Sequence, residues 1–383
     1  MNLLSALPLK VLWVFLFINA ISFNFFPSFT TNRLAFLALT IFFILRYRFV
    51  FKQKEILLLF FLLSLACYSM VVSVLNIGDT TQFSRLFHFA LFSILAPLML
   101  FRMLNNEYEF HLAVVFATIA QIFFVFLTYT SRSFNDVLFS VVLANNNFGE
   151  SLGRAPGLSS SGGATLSVII SLGAFSIVRL AKFGMSSWHL PVLILICFSN
   201  IIVGRTGLIL SLFALMMFFT RSRVNMRSML MFLLLAFVFW LFIADFLIQN
   251  EQFLQYTLKW ALSGLSGDGT ASALLAMGLP KMSISQLLLG TGSVVLPTGL
   301  NASGSDIGYV QSIFSLGLII SCLFYSLLFC FLSSYAKGCN DEKFAFFIIF
   351  LTFFIEVKEP FIFKYFYVFY VFMSLLLLKR ERV

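Results

Sequence analysis

Residues 190–220 read LPVLILICFSNIIVGRTGLILSLFALMMFFT, and the way this stretch folds decides the course of the whole chain. Its one charged residue, Arg205, stands near the middle within Gly204–Gly207. A single helix would put the basic residues around Arg179 and those around Arg221 on opposite sides of a membrane. Cytoplasmic loops carry the excess of Lys and Arg, so the sequence predicts a hairpin of two short helices. Arg205 would then lie sunken below the outer surface.

The composition shows why membrane crossings matter for this chain. It has 383 residues, of which 61% are hydrophobic and only 10% are charged. Soluble domains carry about 25% charged residues, so most of this surface must face something other than water. Repeated apolar runs close to the ~20 residues that cross a bilayer as a helix predict an all-α polytopic integral membrane protein.

About twelve transmembrane helices are predicted, as a single transmembrane domain covering 1–383. Lys and Arg cluster at span ends on one side, which makes both termini cytoplasmic. The residues assigned to the cytoplasmic side are Lys10, Arg46, Arg48, Lys52, Lys54, Arg102, Arg179, Lys182, Arg221, Arg223, Arg227, Lys337, Lys343, Lys379, Arg380 and Arg382. The net charge is +10. Because the basic residues collect at span ends, this charge reflects membrane topology and does not indicate nucleic acid as a partner. The predicted spans are 8–26, 34–45, 56–75, 86–101, 112–130, 164–180, 190–203, 206–220, 229–247, 307–335, 344–357 and 361–378.

Two predicted outer loops, 131–163 and 248–306, are longer than simple connections need to be. Loops of this length usually have a function of their own. Neither a metal site nor another cofactor is predicted, because the three His and five Cys residues are scattered without metal-ligand spacing.

Nine basic residues remain on the outer side, and such cations are natural partners for phosphate. Arg binds phosphate through two parallel hydrogen bonds and stays charged when it is desolvated. A charge at membrane depth is costly and usually functional, which favours Arg205, although a structural bond to nearby carbonyls would also explain it. The nine are Arg33, Arg85, Arg132, Arg154, Arg205, Lys259, Lys281, Lys358 and Lys364.

Ionisable residues also gather between the last two predicted spans, from Glu356 to Lys364. Because Phe344–Ile355 is too short to cross a bilayer alone, we expect its helix to continue as far as Pro360. Glu356 and Lys358 would then lie near or inside the outer membrane boundary, paired with their neighbours. The alternative is a short hydrated turn.

Asp306 opens the tenth predicted span. A carboxylate is favoured at a helix N-terminus, so a capping role alone would explain this residue. The other interpretation is a general base that removes a proton from a substrate hydroxyl.

The layout resembles the bacterial O-antigen polymerase family (Wzy-type), within the O-antigen ligase/polymerase group. The shared features are twelve spans, two dominant extracytoplasmic loops and short motifs in a fixed order. Ligases of the group typically have a His where this chain has Asp306, which favours a polymerase. Some polymerases place a Gly eleven positions after an Arg of the loop, but from Arg154 that position is Thr165. The motifs are Gly153–Leu158, Gly204–Leu208, Lys281 followed by Leu288–Gly292, and Asp306–Tyr309 leading to Gly317 and Leu318.

The resemblance implies a metal-independent glycosyltransferase of the bacterial inner membrane. A growing glycan would leave undecaprenyl diphosphate in the periplasm and join the non-reducing end of the next undecaprenyl-diphosphate-linked oligosaccharide. Membrane lipid and a chain-length regulator protein are the further partners. The implied catalytic residues are Asp306, Arg205 and Arg154, and the implied substrate-binding residues are Arg85, Lys281, Tyr309, Glu356 and Lys358.

A lipid-linked oligosaccharide flippase is the chief alternative, and an O-antigen ligase is a second. A flippase needs charged groups along a cavity between two halves and usually has short outer loops. This chain has ionisable residues at the outer rim and one very long outer loop. An amino-acid or sugar permease would be expected to show an internal repeat, and the sequence contains none.

Overall fold

The computed structural model describes residues 7–47, 50–76, 78–143, 157–159, 163–221, 278 and 280–380, together with positions 230 and 234. Within these residues the chain is mostly helical, and five helices are long and apolar enough to cross a membrane. The described residues form one small β-hairpin and are otherwise consistent with an all-α membrane protein. The five helices are Gln53–Leu75, Thr81–Phe101, Glu107–Thr130, Gly163–Phe183 and Leu318–Ala336.

The elements are numbered here in chain order. The first part contains α1 Leu7–Ile18, β1 Ser22–Phe23, β2 Phe26–Thr30, α2 Thr31–Arg46, α3 Gln53–Leu75 and α4 Thr81–Phe101, the last with a π-helical segment at Phe89–Leu95. The middle contains α5 Glu107–Thr130, α6 Arg132–Val141, α7 Gly163–Phe183, α8 His189–Val203 and α9 Arg205–Arg221. The last part contains α10 Ile284–Leu289, α11 Gly308–Leu316, α12 Leu318–Ala336, α13 Glu342–Ile355 and α14 Phe366–Arg380. The predicted span 229–247 lies outside the described residues except at positions 230 and 234.

The chain packs as two compact units, each made from two separate stretches of sequence. The first unit contains Met1–Leu37 and Asn106–Gly267, and the second contains Ala38–Asn105 and Asp268–Val383. The transmembrane domain that the sequence predicts is thus built from two units.

Helix α7 is the centre of the first unit and packs against α5, α8 and α9. These close approaches depend on glycine. A Cβ atom on Gly207 would lie 2.0 Å from the carbonyl oxygen of Ser167, and one on Gly173 would lie 2.6 Å from Oγ1 of Thr118. Because small residues let membrane helices approach closely, these glycines set the spacing of α7 from α9 and α5.

Two basic residues that the sequence places in the cytoplasm bind the same end of α5. The guanidinium of Arg179 donates to both carboxylate oxygens of Glu107, with Nη2 and Oε2 2.9 Å apart, and Lys10 Nζ lies 2.7 Å from Oε2 of Glu109. His111 Nδ1, one turn along, lies 3.1 Å from Oγ of Ser176. Glu107 and Arg179 are buried, and a buried charge requires such a partner. Residues predicted to share one side of the membrane therefore share one end of this unit.

The predicted break between two short helices at Gly204 is confirmed. Helix α8 ends at Val203, Gly204 is extended, and α9 begins at Arg205. Asn200 Nδ2 donates to Oγ of Ser211 over 2.8 Å, whereas residues eleven apart in one straight helix would be separated by about 16 Å. The chain therefore reverses direction here, and a single long helix is excluded.

The first predicted span, 8–26, was wrong over residues 19–26. Helix α1 ends at Ile18, and the chain then forms the antiparallel pair β1–β2. The hydroxyl of Thr31 donates to the carbonyl of Asn19 and accepts the N–H of Ile21, each over 3.0 Å. These bonds satisfy backbone groups at the end of α1, so the helix stops although apolar residues continue.

The tenth predicted span, 307–335, was wrong as a continuous helix. It is divided at Gly317, whose φ of +84° is accessible mainly to glycine. A Cβ at this position would lie 2.2 Å from the carbonyl oxygen of Leu288. The C-terminal end of α10 therefore packs directly against the break between α11 and α12.

Candidate functional site

Asp79, between α3 and α4, holds the loop that leads to α11. Its Oδ2 accepts hydrogen bonds from the amides of Val294 and Val295, over 2.6 and 2.7 Å, and its Oδ1 accepts one of 2.6 Å from the amide of Thr81. Partial burial raises the pKa of Asp79, but the hydrogen bonds from Thr81, Val295 and Val294 outweigh it and hold the pKa below its ordinary value. An ionised carboxylate thus fixes the loop at residues 294–295.

Ser73, in the last turn of α3, holds the same loop from a second direction. Its Oγ lies 2.7 Å from the carbonyl oxygens of both Asp79 and Gly292. Gly292 has a φ of +73°, and a Cβ there would lie 2.5 Å from the backbone nitrogen of Ser73. The glycine turn at residues 290–292 is therefore packed against α3.

The last turn of α11 provides the third attachment. The amides of Thr291 and Gly292 donate to the carbonyls of Phe314 and Ser315, each over 2.9 Å. Because α11 ends at Leu316, these carbonyls are left without partners inside the helix. The loop supplies the partners, so residues 291–295 are attached to the C-terminal ends of α3 and α11.

Arg85 lies in the first part of α4 and is partly buried. Its Nη1 donates to Oε1 of Gln311 over 3.2 Å, and Nε2 of the same amide donates to the carbonyl of Ser305 over 3.0 Å. Gln311 therefore connects the guanidinium of Arg85 to the peptide that immediately precedes Asp306.

Asp306 is exposed, and its Oδ1 accepts a hydrogen bond of 2.8 Å from Nδ2 of Asn301. The capping interpretation of Asp306 was wrong. Helix α11 begins at Gly308, its N-cap is Ile307, and no side chain caps it. The carboxylate is instead oriented by an amide of its own loop, and it remains open to solvent.

Glu356 is fully buried and has three polar contacts. Its Oε1 accepts from the hydroxyl of Tyr325 over 2.9 Å, its Oε2 accepts from the amide of Ile362 over 2.8 Å, and its carbonyl accepts from the amide of Gly308 over 2.9 Å. Glu356 and Arg85 attract each other electrostatically. A side chain enclosed in this way positions its neighbours, and it does not present a surface to a substrate.

The helix before Glu356 does not continue to Pro360, and this prediction was wrong. Helix α13 ends at Ile355, and residues 356–359 form turns. Lys364 Nζ lies 2.6 Å from Oε2 of Glu359, so pairing of the ionisable residues is confirmed for these two. Lys358 is partly buried in the same turn.

Tyr309 packs beside this cluster. Its hydroxyl donates to the carbonyl of Phe353 over 2.8 Å, and its ring centroid lies 4.8 Å from that of Tyr325. The hydroxyl of Tyr325 is also 2.7 Å from Oγ of Ser312. The structure thus brings Arg85, Tyr309 and Glu356 into one region of the second unit.

Two other predicted residues, Lys281 and Arg205, are not part of this cluster. Lys281 is exposed, ahead of α10. Arg205 is the first residue of α9 in the first unit and is partly buried. The amide of Gly207, in the same turn, donates to Oγ of Ser167 over 3.0 Å. Arg154 lies outside the described residues.

Sequence reasoning missed three residues of this region, namely Asp79, Gln311 and Tyr325. Asp79 had a usable signal, because an Asp just before an apolar run often accepts a nearby backbone amide. Gln311 and Tyr325 are polar residues within an apolar segment, and that pattern alone does not indicate which neighbours they contact.

The region combines the exposed carboxylate of Asp306 with the guanidinium of Arg85, which donates to the amide of Gln311 and is attracted by Glu356. An exposed carboxylate can accept a proton, and a guanidinium can bind an anion. Among the described residues, no group of three His, Cys, Asp or Glu is arranged to hold a metal ion. Comparison of the chain with protein-family models, with curated proteins and with solved structures gave no match.

Proposed function

We propose that this chain is an O-antigen polymerase of the bacterial inner membrane, a glycosyltransferase that joins lipid-linked repeat units at the periplasmic face. The observation that carries the proposal is the bridge through Gln311. It couples a cation, Arg85, to the peptide before an exposed carboxylate, Asp306. Transfer from a polyprenyl diphosphate needs a cation for the leaving group and a base for the acceptor.

In the proposed reaction, a hydroxyl at the non-reducing end of the acceptor repeat unit attacks the anomeric carbon of the donor glycan. The carboxylate of Asp306 takes the proton of that hydroxyl. The bond between the anomeric carbon and the diphosphate oxygen breaks, and undecaprenyl diphosphate leaves with the electron pair. Arg85 stabilises the negative charge that develops on the diphosphate.

The other polar groups of the second unit support this arrangement indirectly. Glu356 orients Tyr325 and holds the N-terminus of α11, while Asp79 fixes the loop that carries Asp306. Substrate binding by Lys281, Tyr309 and Lys358 stays a prediction. So does the role of Arg154 and Arg205 in binding the diphosphate.

The experiment that tests the proposal is deletion of the gene, followed by analysis of the lipopolysaccharide. A polymerase defect leaves one repeat unit on the core and removes the ladder of longer chains. Expression of the wild-type chain from a plasmid should restore the ladder. A deletion strain with an unchanged ladder would overturn the proposal.

A flippase is the alternative that the sequence left open; flippases are built from two halves, whereas this chain packs as two compact units of another kind. The units of this chain interleave in sequence and are not its two halves. The same deletion separates the candidates, since loss of a flippase or of a ligase leaves no repeat unit on the core.

A further inference from the structure

A cavity of about 560 Å³ lies at the end of the second unit opposite the candidate site, where α3 begins and α4, α12 and α14 end. Four cations line it, namely Lys52, Arg102, Lys379 and Arg380. Its volume is in the range of sites for small ligands, about 300–1,000 Å³. Four positive side chains around one such space indicate an anionic ligand.

No carboxylate is among the described residues that line this cavity. Glu55 is nearby, but it is only 3% exposed. Its oxygens accept the hydroxyl of Tyr335 and the amide of Lys52, the latter over 2.8 Å. Within the described chain, Glu55 is thus already engaged and does not present a counter-charge to the cavity.

Neutral groups hold the cations in place. The ammonium groups of Lys52 and Lys379 each lie 5.6 Å from the ring centroid of Tyr335, and the ammonium group of Lys54 lies 3.3 Å from it. Arg380 donates to the carbonyl of Leu104 over 2.8 Å and lies over the ring of Phe101. Aromatic faces and carbonyls stabilise a cation without cancelling its charge. The mutual repulsion of these cations is therefore relieved when an anion binds.

A second cavity of about 180 Å³ adjoins the first and shares Lys52, Phe101, Arg102 and Leu376 with it. Glu55, whose oxygens are engaged as described, also lines the second cavity, and the rest of its lining is apolar and includes Phe43 and Leu98. A cationic space that opens beside an apolar one fits a ligand with an anionic head and a hydrocarbon chain.

We propose that these two cavities bind one anionic phospholipid, with its phosphate among Lys52, Arg102 and Lys379. The first carbons of an acyl chain occupy the apolar space beside Phe43 and Leu98. Basic pockets between membrane helices on the cytoplasmic side bind anionic lipid headgroups in this manner, and this end of the unit is the one predicted to be cytoplasmic. The proposal goes beyond the proposed function and does not depend on it.

The test uses the full chain purified in detergent, titrated with short-chain phosphatidylglycerol, with phosphatidylcholine of equal chain length, and with glycerol phosphate. Native mass spectrometry counts the bound molecules. The double variant Arg102→Gln/Lys379→Gln should bind phosphatidylglycerol about thirtyfold more weakly than the wild type. The control Lys337→Gln/Lys343→Gln also removes two charges from the predicted cytoplasmic side, but neither residue lines the cavity.

The proposal is supported if phosphatidylglycerol binds more tightly than both other probes and only the cavity variant loses the difference. Equal binding of glycerol phosphate would assign the site to a free phosphate compound and overturn the lipid proposal. Equal binding by the cavity and control variants would overturn the site itself. If the double variant does not fold, the wild type alone decides the question. Its preference for phosphatidylglycerol over phosphatidylcholine must fall as salt is added.

Discussion

Arg85 and Gln311 are joined by a hydrogen bond of 3.2 Å, although 226 positions of the chain separate them. The same glutamine binds the carbonyl of Ser305, so one side chain couples a helix, a loop and a cation. Polar side chains in an apolar helical segment need such partners, because an unsatisfied group away from water is costly. The bridge is therefore a structural bond that also places Arg85 near the loop of Asp306.

Replacement of Gln311 tests this coupling. Gln311→Leu removes both hydrogen bonds, and a bond to a charged group contributes about 1.5–3 kcal/mol. We expect polymer formation to fall by about tenfold to a hundredfold, while the protein is still made. The control Gln53→Leu makes the same change at the exposed start of α3 and should leave polymer formation unchanged. Wild-type polymer lengths in Gln311→Leu would show that the bridge has no role in activity.

Asp306→Asn tests the proposed base. Asparagine keeps the size of the side chain but cannot accept a proton, and loss of a general base lowers rates by about 10²–10⁴-fold. Because Asp306 does not cap α11, the thermal stability of this variant should match that of the wild type. Asp341→Asn is the matched control. Asp341 does cap a helix, α13, through a bond of 3.1 Å to the amide of Phe344, and asparagine caps equally well.

A normal rate of polymer formation by Asp306→Asn would remove this residue from the mechanism. A variant that is inactive but also unstable would point to a structural role. Measuring both turnover and melting temperature for the two variants separates these outcomes.

The attachment of the loop by Asp79 should depend on pH. The pKa of Asp79 is depressed when it binds the loop. Its stabilising effect is therefore fully present above the ordinary carboxyl pKa of about 4, and it is lost as the pH falls through the depressed pKa of the folded protein. Hydrogen exchange at Val294 and Val295, corrected for intrinsic rates, should be slow at neutral pH and become fast only in acid. Asp79→Asn should exchange faster already at neutral pH.

Asp136→Asn is the control for this experiment, because Asp136 is exposed and belongs to the first unit. It should not alter exchange at residues 294–295. Equally slow exchange in Asp79→Asn and in the wild type at neutral pH would contradict the attachment.

Gly207→Ala tests the packing of α7 against α9. The added Cβ would lie 2.0 Å from the carbonyl of Ser167, so a helix must shift. Overpacking of this kind costs about 1–3 kcal/mol, which should lower the melting temperature in detergent. Gly278→Ala is the control, since a Cβ there meets no atom of the described residues within 4 Å. Equal melting temperatures for the two variants would contradict the close approach.

The sequence predicted the parts of the fold that follow from charge and hydropathy. The break at Gly204 follows from the basic residues on either side of 190–220, and the class of protein follows from composition. Apolar runs did not predict where helices stop. The end of α1 depends on Thr31, and the break at Gly317 depends on contact with Leu288.

The candidate site was predictable only in part, because charge and hydropathy do not show which distant residues come into contact. Arg85 and Glu356 were selected from the sequence as ionisable residues near span ends. Their partners Gln311 and Tyr325 come from distant positions and are ordinary polar residues. The burial of Glu356 also depends on these tertiary contacts, and hydropathy does not reveal them.

The most direct test of the proposed function is transfer by the purified chain in lipid vesicles. The substrate is the lipid-linked repeat unit extracted from the deletion strain, and mass spectrometry follows the products. The proposal predicts lipid-linked glycans of two or more repeat units, with one undecaprenyl diphosphate released for each bond formed, and no elongation by Asp306→Asn. A substrate that stays at one repeat unit with a folded wild-type preparation, or that only crosses the bilayer, would contradict it.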